Sequence, residues 1–314
     1  GVQTCALPIS TLIGSNPCVT GEEAAKQMDT THSGVLQAGA SDKQVNVKKH
    51  LQEVSLDETK VYAVCYAETD GTSTDSTWGD SGHRLKVSLM ESISSHSVTH
   101  ITYGQVAHVA TLELTYAGTL SATAYVSLVD TTLNTAQPCD DGTVAAASAG
   151  TTQSGSIQAS GSVVTMDTTG LDTSKTFSVC YTPTGGSSSD TWVDAGIRLT
   201  VSKIDTLTYQ GYGSPVRTMT SSNIAAAINR LPQVADMVLT YTGDLDVYKW
   251  MSLVDSTLNS NNPCVDGAVA AAAADTTHSG PTRAASSTRA VTIAQGTGDL
   301  LDRKSTRLNS SHTV

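Results

Sequence analysis

The same passage is written three times along this chain, and a cysteine marks each copy. TTLNTAQPCDDGTVAA at 131–146 returns as STLNSNNPCVDGAVAA at 256–271, and STLIGSNPCVTGEEAA occupies 10–25. DTTHSG at 29–34 recurs unchanged at 275–280 and as GTTQSG at 150–155. VYAVCYAETDGTSTDSTWGDSGHRLKVS at 61–88 reappears as TFSVCYTPTGGSSSDTWVDAGIRLTVS at 176–202. The offsets Cys18 to Cys139 to Cys264, Cys65 to Cys180 and Trp78 to Trp192 give a period of roughly 115–125 residues. A unit of that length can bury a core by itself, so the duplication predicts a row of domains.

The copies also set the expected boundaries. GVQTCALPI at 1–9 and RKSTRLNSSHTV at 303–314 match nothing in the repeats and resemble translated sequencing adapter, as in an environmental sample. The expected organisation is therefore a repeat 1 over 10–93 that lacks its first strands, a complete repeat 2 over 94–205, and a repeat 3 over 206–302 that lacks its last, with 1–9 and 303–314 foreign.

Cysteine usage points to an oxidising compartment. Each of the first two copies carries two cysteines at matching places, Cys18 with Cys65 and Cys139 with Cys180, while Cys264 has no second cysteine in its copy. One pair per domain reads as a disulfide framework, in preference to buried thiols. No CxxC or His/Cys spacing accompanies these residues, so a metal site is not indicated.

Charge and composition narrow the function classes. Without Arg303, Lys304 and Arg307, 15 basic residues face 29 acidic ones, a net −14 against −11 for the whole chain. That balance gives no electrostatic footprint for nucleic acid or an anionic membrane face. Ser and Thr exceed a quarter of the residues, which suits short strands with hydroxyl-rich outer faces. The longest apolar stretch, AVAAAAA at 268–274, is too short to cross a bilayer.

Period-two alternation in copy 2 marks strands at 110–118, 122–130, 154–160, 162–168, 175–182 and 196–204, with a short leading strand at 100–104. Seven short strands separated by Gly, Asp and Ser turns predict an antiparallel β-sandwich. Ser221-Ser222-Asn223 followed by IAAAINRL and Pro232 predicts a short inter-domain helix near 221–231, and Asp-Gly before each alanine run predicts a helical turn there. LDTSKTFSVCY at 171–181 resembles the sixth strand of immunoglobulin-like and fibronectin-like sandwiches. The resemblance implies a mainly β fold of tandem, disulfide-bonded, Ig-like repeats; no Trp sits where an antibody-type domain has its core indole.

Four patterns carry the functional expectations. Trp-x-Asp-x-Gly-x-Arg-Leu, at 78–85 and 192–199, predicts a bulge at the glycine and ion pairs Asp80–Arg84 and Asp194–Arg198. Trp78 and Trp192 either cover one end of their domain, or, with those pairs, meet a neighbouring domain or chain, or stack on a sugar. Hydroxyl-dense loops make Thr72, Thr74, Thr151, Thr152, Ser187, Ser188 and Ser189 candidates for O-linked glycans, since 10–302 holds no Asn-x-Ser/Thr sequon. Asp130, Asp140, Asp141, Asp190, Asp194, Asp255 and Asp266 gather at domain ends, where inter-domain Ca²⁺ is the alternative to solvated turns. In DTTHSG, Asp29, His32 and Ser33 invite a nucleophile–base reading, but triads draw on separate elements and copy 2 has Gly150 and Gln153 instead. A turn capped by hydroxyls is expected.

No catalytic motif recurs, so the sequence reads as non-enzymatic, without a cofactor. The expected function is a structural subunit of an extracellular filament or surface fibre, a head-to-tail homopolymer carrying glycans. In architecture the chain resembles subunits of glycan-coated surface fibrils, such as algal flagellar hairs or pond-water glycofibrils. The alternatives are an adhesin or carbohydrate-binding array on a cell surface, and accessory domains of a secreted enzyme.

Overall fold

A computed structural model describes residues 4–12, 14, 16–39, 44–45, 47, 56–209, 217–220, 231 and 236–293. It is mainly β, and the chain divides into two compact units, Gly1–Leu89 and Met90–Val314. The helix expected near 221–231 and the segment 303–314 lie outside the described residues, apart from Leu231.

The first unit holds one antiparallel sheet. Its strands are β1 (Thr4–Ala6), β2 (Leu36–Gln37), β3 (Tyr62–Ala67) and β4 (Gly79–Leu85), in the order β2-β1-β3-β4. Residues 4–6, set apart from the repeats by sequence, are thus an inner strand, with Thr4 opposite both Gln37 and Ala67. Tyr62 is buried, and its hydroxyl donates to the Thr30 and Asp57 carbonyls at 2.9 and 3.0 Å. Burial pushes that phenol up to about 12.

The second unit opens with β5 (Met90–Ser95), a strand that straddles the boundary placed at 94. It continues with β6 (Val98–His100), β7 (Tyr103–Val106), β8 (Leu112–Gly118), β9 (Tyr125–Asp130), β10 (Ile157–Gln158), β11 (Val163–Met166), β12 (Thr176–Thr182) and β13 (Val193–Val201). One sheet runs β10-β9-β12-β13-β7 and the other β11-β8-β5-β6. All pairs are antiparallel except β13 with β7. The leading strand expected at 100–104 is broken at Ile101-Thr102, which lets β6 end in one sheet and β7 begin in the other.

Alternation explains the burial. On β8, Leu112, Leu114 and Tyr116 are buried while Glu113, Thr115 and Ala117 face out. β9 is different, with both faces covered, so even Ser127 and Asp130 are buried. Asp130 resists protonation there: burial would raise its carboxyl, but the Lys175 ammonium and the Thr132 amide and hydroxyl outweigh that and hold it low.

Six more strands follow among the described residues of the second unit. β14 (Thr206–Tyr209), β15 (Arg217–Thr220), β16 (Met237–Tyr241), β17 (Trp250–Met251), β18 (Thr282–Arg283) and β19 (Ala290–Ile293) form a sheet β15-β14-β16-β19 and a ribbon β17-β18. Tyr209, Met237, Leu239, Tyr241, Val291 and Ile293 build its core. The Tyr116 hydroxyl donates to the Ser121 carbonyl, and Tyr241 donates to the Asp246 carbonyl at 2.6 Å.

Candidate functional site

The most elaborate recurrent constellation lies at the disulfide end of the first two copies. Cys139 is bonded to Cys180 on β12, and Cys18 to Cys65 on β3, each with Cα atoms 5.3 Å apart. These are the pairs the repeat spacing predicts. Upstream of Cys139, Asn134, Thr135 and Ala136 adopt left-handed φ of 46, 57 and 64°. Asn259, Ser260 and Asn261 do the same at 48, 57 and 65° before Cys264. Asn134 Nδ2 donates to the Gln137 carbonyl, and Asn259 Nδ2 to the Asn262 carbonyl, both at 2.8 Å. Asn tolerates this conformation better than most residues, and the proline that follows bars Gln137 and Asn262 from the helical region.

Beyond the cysteine, a one-turn helix packs under a tryptophan. Gly142–Ala145 is capped by Asp141, which accepts from the Thr143 amide, and Gly21–Ala24 by Thr20, which accepts from the Glu23 amide. Trp192 is buried with Val129, Ala145 and the disulfide; Trp78 is buried with Ala6, Ala24 and its own. The indole N–H donates to the Ser187 carbonyl in one copy and to the Thr72 carbonyl in the other, both at 3.0 Å. The loop before each Trp presses so closely on the helix that a Cβ on Gly142 would stand 2.3 Å from Ser188 O, and one on Gly21 would stand 2.4 Å from Ser73 O. Both indoles are therefore core to their own unit, which leaves the Asp–Arg corners as the accessible part of the expected interface.

Those corners are well made. Arg84 forks onto Asp80 at 2.9 and 2.8 Å, and Arg198 onto Asp194 at 2.8 and 2.7 Å. Gly82 and Gly196 both take φ +78° and give their amides to the same aspartates. The β3–β4 and β12–β13 registers shift opposite these glycines, the bulge that the sequence pattern requires. The Arg84 guanidinium, then the Gly82 amide, hold the Asp80 carboxyl low.

The hydroxyl-rich loops are hydrogen-bonded as well as exposed. Thr72 donates to Asp70 and meets the Thr74 hydroxyl. Ser187 donates to Asp190 and meets Ser189. Thr151 and Ser188 are exposed, and Thr152 donates to Gln153.

In DTTHSG, Ser33 and His32 face different partners. The Ser33 hydroxyl accepts from the Leu7 amide and donates to the Gly34 carbonyl, both at 2.8 Å. His32 Nε2 meets Glu23 and Nδ1 meets Asp29 and Thr31. The serine is a staple between strand and loop, as the turn reading expects.

The clustered aspartates divide among local tasks. Asp141 and Asp266 cap helices, Asp130 and Asp255 accept from the threonine two residues on, and Asp190 closes the loop before Trp192. Among the described residues no group of three or more His, Cys, Asp or Glu is gathered around a metal position, and no helix is long and apolar enough to cross a membrane.

One feature was not legible in advance. Arg283 lies 3.3 Å from the Tyr248 ring centroid and 5.6 Å from that of Trp250, both rings being exposed. Its signal was Trp250 standing where copy 2 has Tyr125. No protein-family model, curated protein or solved structure matches the chain.

Proposed function

We propose that the chain is a structural subunit of an extracellular filament or surface fibre, built from tandem β-sandwich repeats of the Ig-like kind and carrying O-linked glycans. The observation that carries this reading is the recurrence of one brace: disulfide, buried indole, Asp–Arg fork and serine staple are kept together in two copies. Every one of these groups holds strands together. Covalent cross-links of this kind belong to oxidising compartments.

A bonded junction between 94–205 and 206–302 also supports this reading. Within the second unit, the Asp205 amide donates to the Thr242 carbonyl at 3.0 Å and the Leu245 amide to the Lys203 carbonyl at 2.9 Å. His108 meets Asp205 at 2.6 Å, and Thr173 donates to Asp244 at 2.8 Å. A Gly/Ser linker would swing where these bonds hold.

Negative-stain micrographs of the purified, oxidised chain test the proposal. Filaments with a regular axial repeat support it; monodisperse single particles at every concentration overturn it. One observation favours the adhesin reading instead, the exposed Tyr248–Arg283–Trp250 cluster. Glycan binding that disappears in Trp250→Ala would decide for it.

A further inference from the structure

Within 90–205 every strand pair is antiparallel except one, and that one joins the side where the chain enters to the side where it leaves. β7 follows the entering β5–β6 hairpin, and β13 is the last strand before the junction. The two lie side by side and run the same way, with Tyr103 opposite Arg198 and Val106 opposite Val201. Bonds close the pair at both limits. The Arg198 amide donates to the Thr102 carbonyl at 2.7 Å, and the Ser202 amide to the Val106 carbonyl at 2.8 Å.

Direction decides how such a pair meets tension. Pulling the chain from both sides draws the start of β7 one way and the end of β13 the other. The force then runs along the strands, and the ladder bonds, evenly spaced in a parallel pair, carry it together. An antiparallel hairpin drawn by its two ends opens one bond at a time instead. β13 is also fastened beyond the pair: the Lys203 carbonyl accepts from the Leu245 amide, and the Asp205 amide donates to the Thr242 carbonyl. At its other end the Asp194–Arg198 fork braces the bulge at Gly196. Tension on 206–302 therefore reaches β13 with no slack linker between.

A second element sets how far the repeat can stretch. Cys139 and Cys180 lie between β7 and β13 in sequence and are bonded to each other. Once β7 and β13 part, tension passes through β8 and β9 to Cys139, crosses the two sulfurs, and leaves through β12 and β13. The residues between the cysteines carry none of it.

We propose that β7–β13 is the tension-carrying contact of this repeat, and that the Cys139–Cys180 bond is a covalent stop behind it. The repeat holds its length until the pair yields, then lengthens by a fixed amount without unravelling completely. The inference rests on the fibre reading above, since a chain fastened on both sides is the one put under tension.

Single-molecule force spectroscopy on the whole chain tests it, with one handle attached at position 102 and the other at 203 or at 195. A handle at 102 bypasses the β5–β6 hairpin, and the two arrangements differ only in which end of β13 is held. Pulling 102 against 203 draws the pair lengthwise; pulling 102 against 195 peels it open. The lengthwise pull should need at least about twice the tension at equal pulling speed, because several bonds share the force. Reduction with a phosphine should then add about 140 Å to the lengthwise extension, the contour of the 41-residue separation between the cysteines. Cys18–Cys65 lies outside the pulled segment and contributes nothing to that step. Equal tensions in the two arrangements would overturn the clamp, and an extension unchanged by reduction would overturn the stop. Both readouts are made on single chains, so their failure is distinct from an absence of filaments in micrographs.

Discussion

The Ser154 hydroxyl accepts the Leu128 amide proton at 2.8 Å and gives its own proton to the Gly155 carbonyl at 3.0 Å. Ser33 with Leu7 and Ser279 with Leu253 repeat the first bond at the same 2.8 Å. A hydroxyl serves here because it accepts and donates at once, fastening an inner strand to the loop that returns from the helix.

Ser154→Ala would strand a buried amide, which costs about 1–3 kcal/mol. Urea denaturation should register that loss with an unchanged m-value. Ser279→Ala should cost less, because Leu253 is only half-buried where Leu128 is fully so. Equal losses at the two sites would show that burial of the strand does not set the strength of the staple.

Much of this was legible because the chain repeats itself. Cysteines at matched places within each copy identified both disulfides, and the glycine of Trp-x-Asp-x-Gly-x-Arg announced the bulge. β5 carries no strand signature in sequence, because MESISS lacks apolar–polar alternation and its buried positions are Met90, Ile93 and the polar Ser95. Residues 4–6 match no other copy, yet pairing on both edges by β2 and β3 makes them a strand, a property of tertiary pairing that similarity between copies does not carry. Sequence leaves Trp78 and Trp192 between cover and contact, since a Trp after a polar loop looks the same whether the loop folds back over it or not. The left-handed turns at Asn134 and Asn259 are backbone events whose only trace is an asparagine four residues before a proline.

Gly82 and Gly196 separate conformational strain from steric contact. Both sit at φ +78°, and neither has an atom within 4 Å of an added Cβ. Alanine at either place should nevertheless cost about 1–2 kcal/mol, the penalty for a side chain in left-handed backbone. Gly142→Ala loses stability for the opposite reason, a clash with Ser188 O at normal φ. If Gly196→Ala were neutral, the bulge would have relaxed, and hydrogen exchange at the Gly196 amide would rise as its bond to Asp194 is lost.

The two disulfides close loops with sequence separations of 47 and 41 residues. Both loops fall in the range where the chain-entropy relation gives roughly 3–4 kcal/mol. Removing either pair as a double Cys→Ala should lower stability by comparable amounts, since the logarithm of loop length hardly changes. Thermal melts with and without a phosphine reductant would check this, and a difference above about 2 kcal/mol would assign the excess to the packing of one Trp cluster.

Acid should unfold this protein through its Asp-x-Thr turns. The Thr59 hydroxyl and amide hold Asp57 low, Thr143 does so for Asp141, Thr169 for Asp167 and Ser174 for Asp172. The Thr277 amide, followed by His278 and the Thr277 hydroxyl, brings Asp275 down to about 2. Asp75 is held lower still: the Thr69 and Thr77 hydroxyls and the Asp70, Gly71 and Thr77 amides all donate to it, at 2.6 to 3.0 Å. In each case the folded pKa lies below the unfolded value of about 3.9, so the stabilisation is complete above that pH and is lost as pH falls through the depressed values. The melting temperature should stay level from about pH 7 to 5 and drop steeply between about pH 4 and 2. Asp75→Asn, which cannot ionise, should melt lower at neutral pH and lose part of the acid slope. An acid limb identical to that of the unsubstituted chain would show that the loop before Trp78 does not depend on the charge of Asp75.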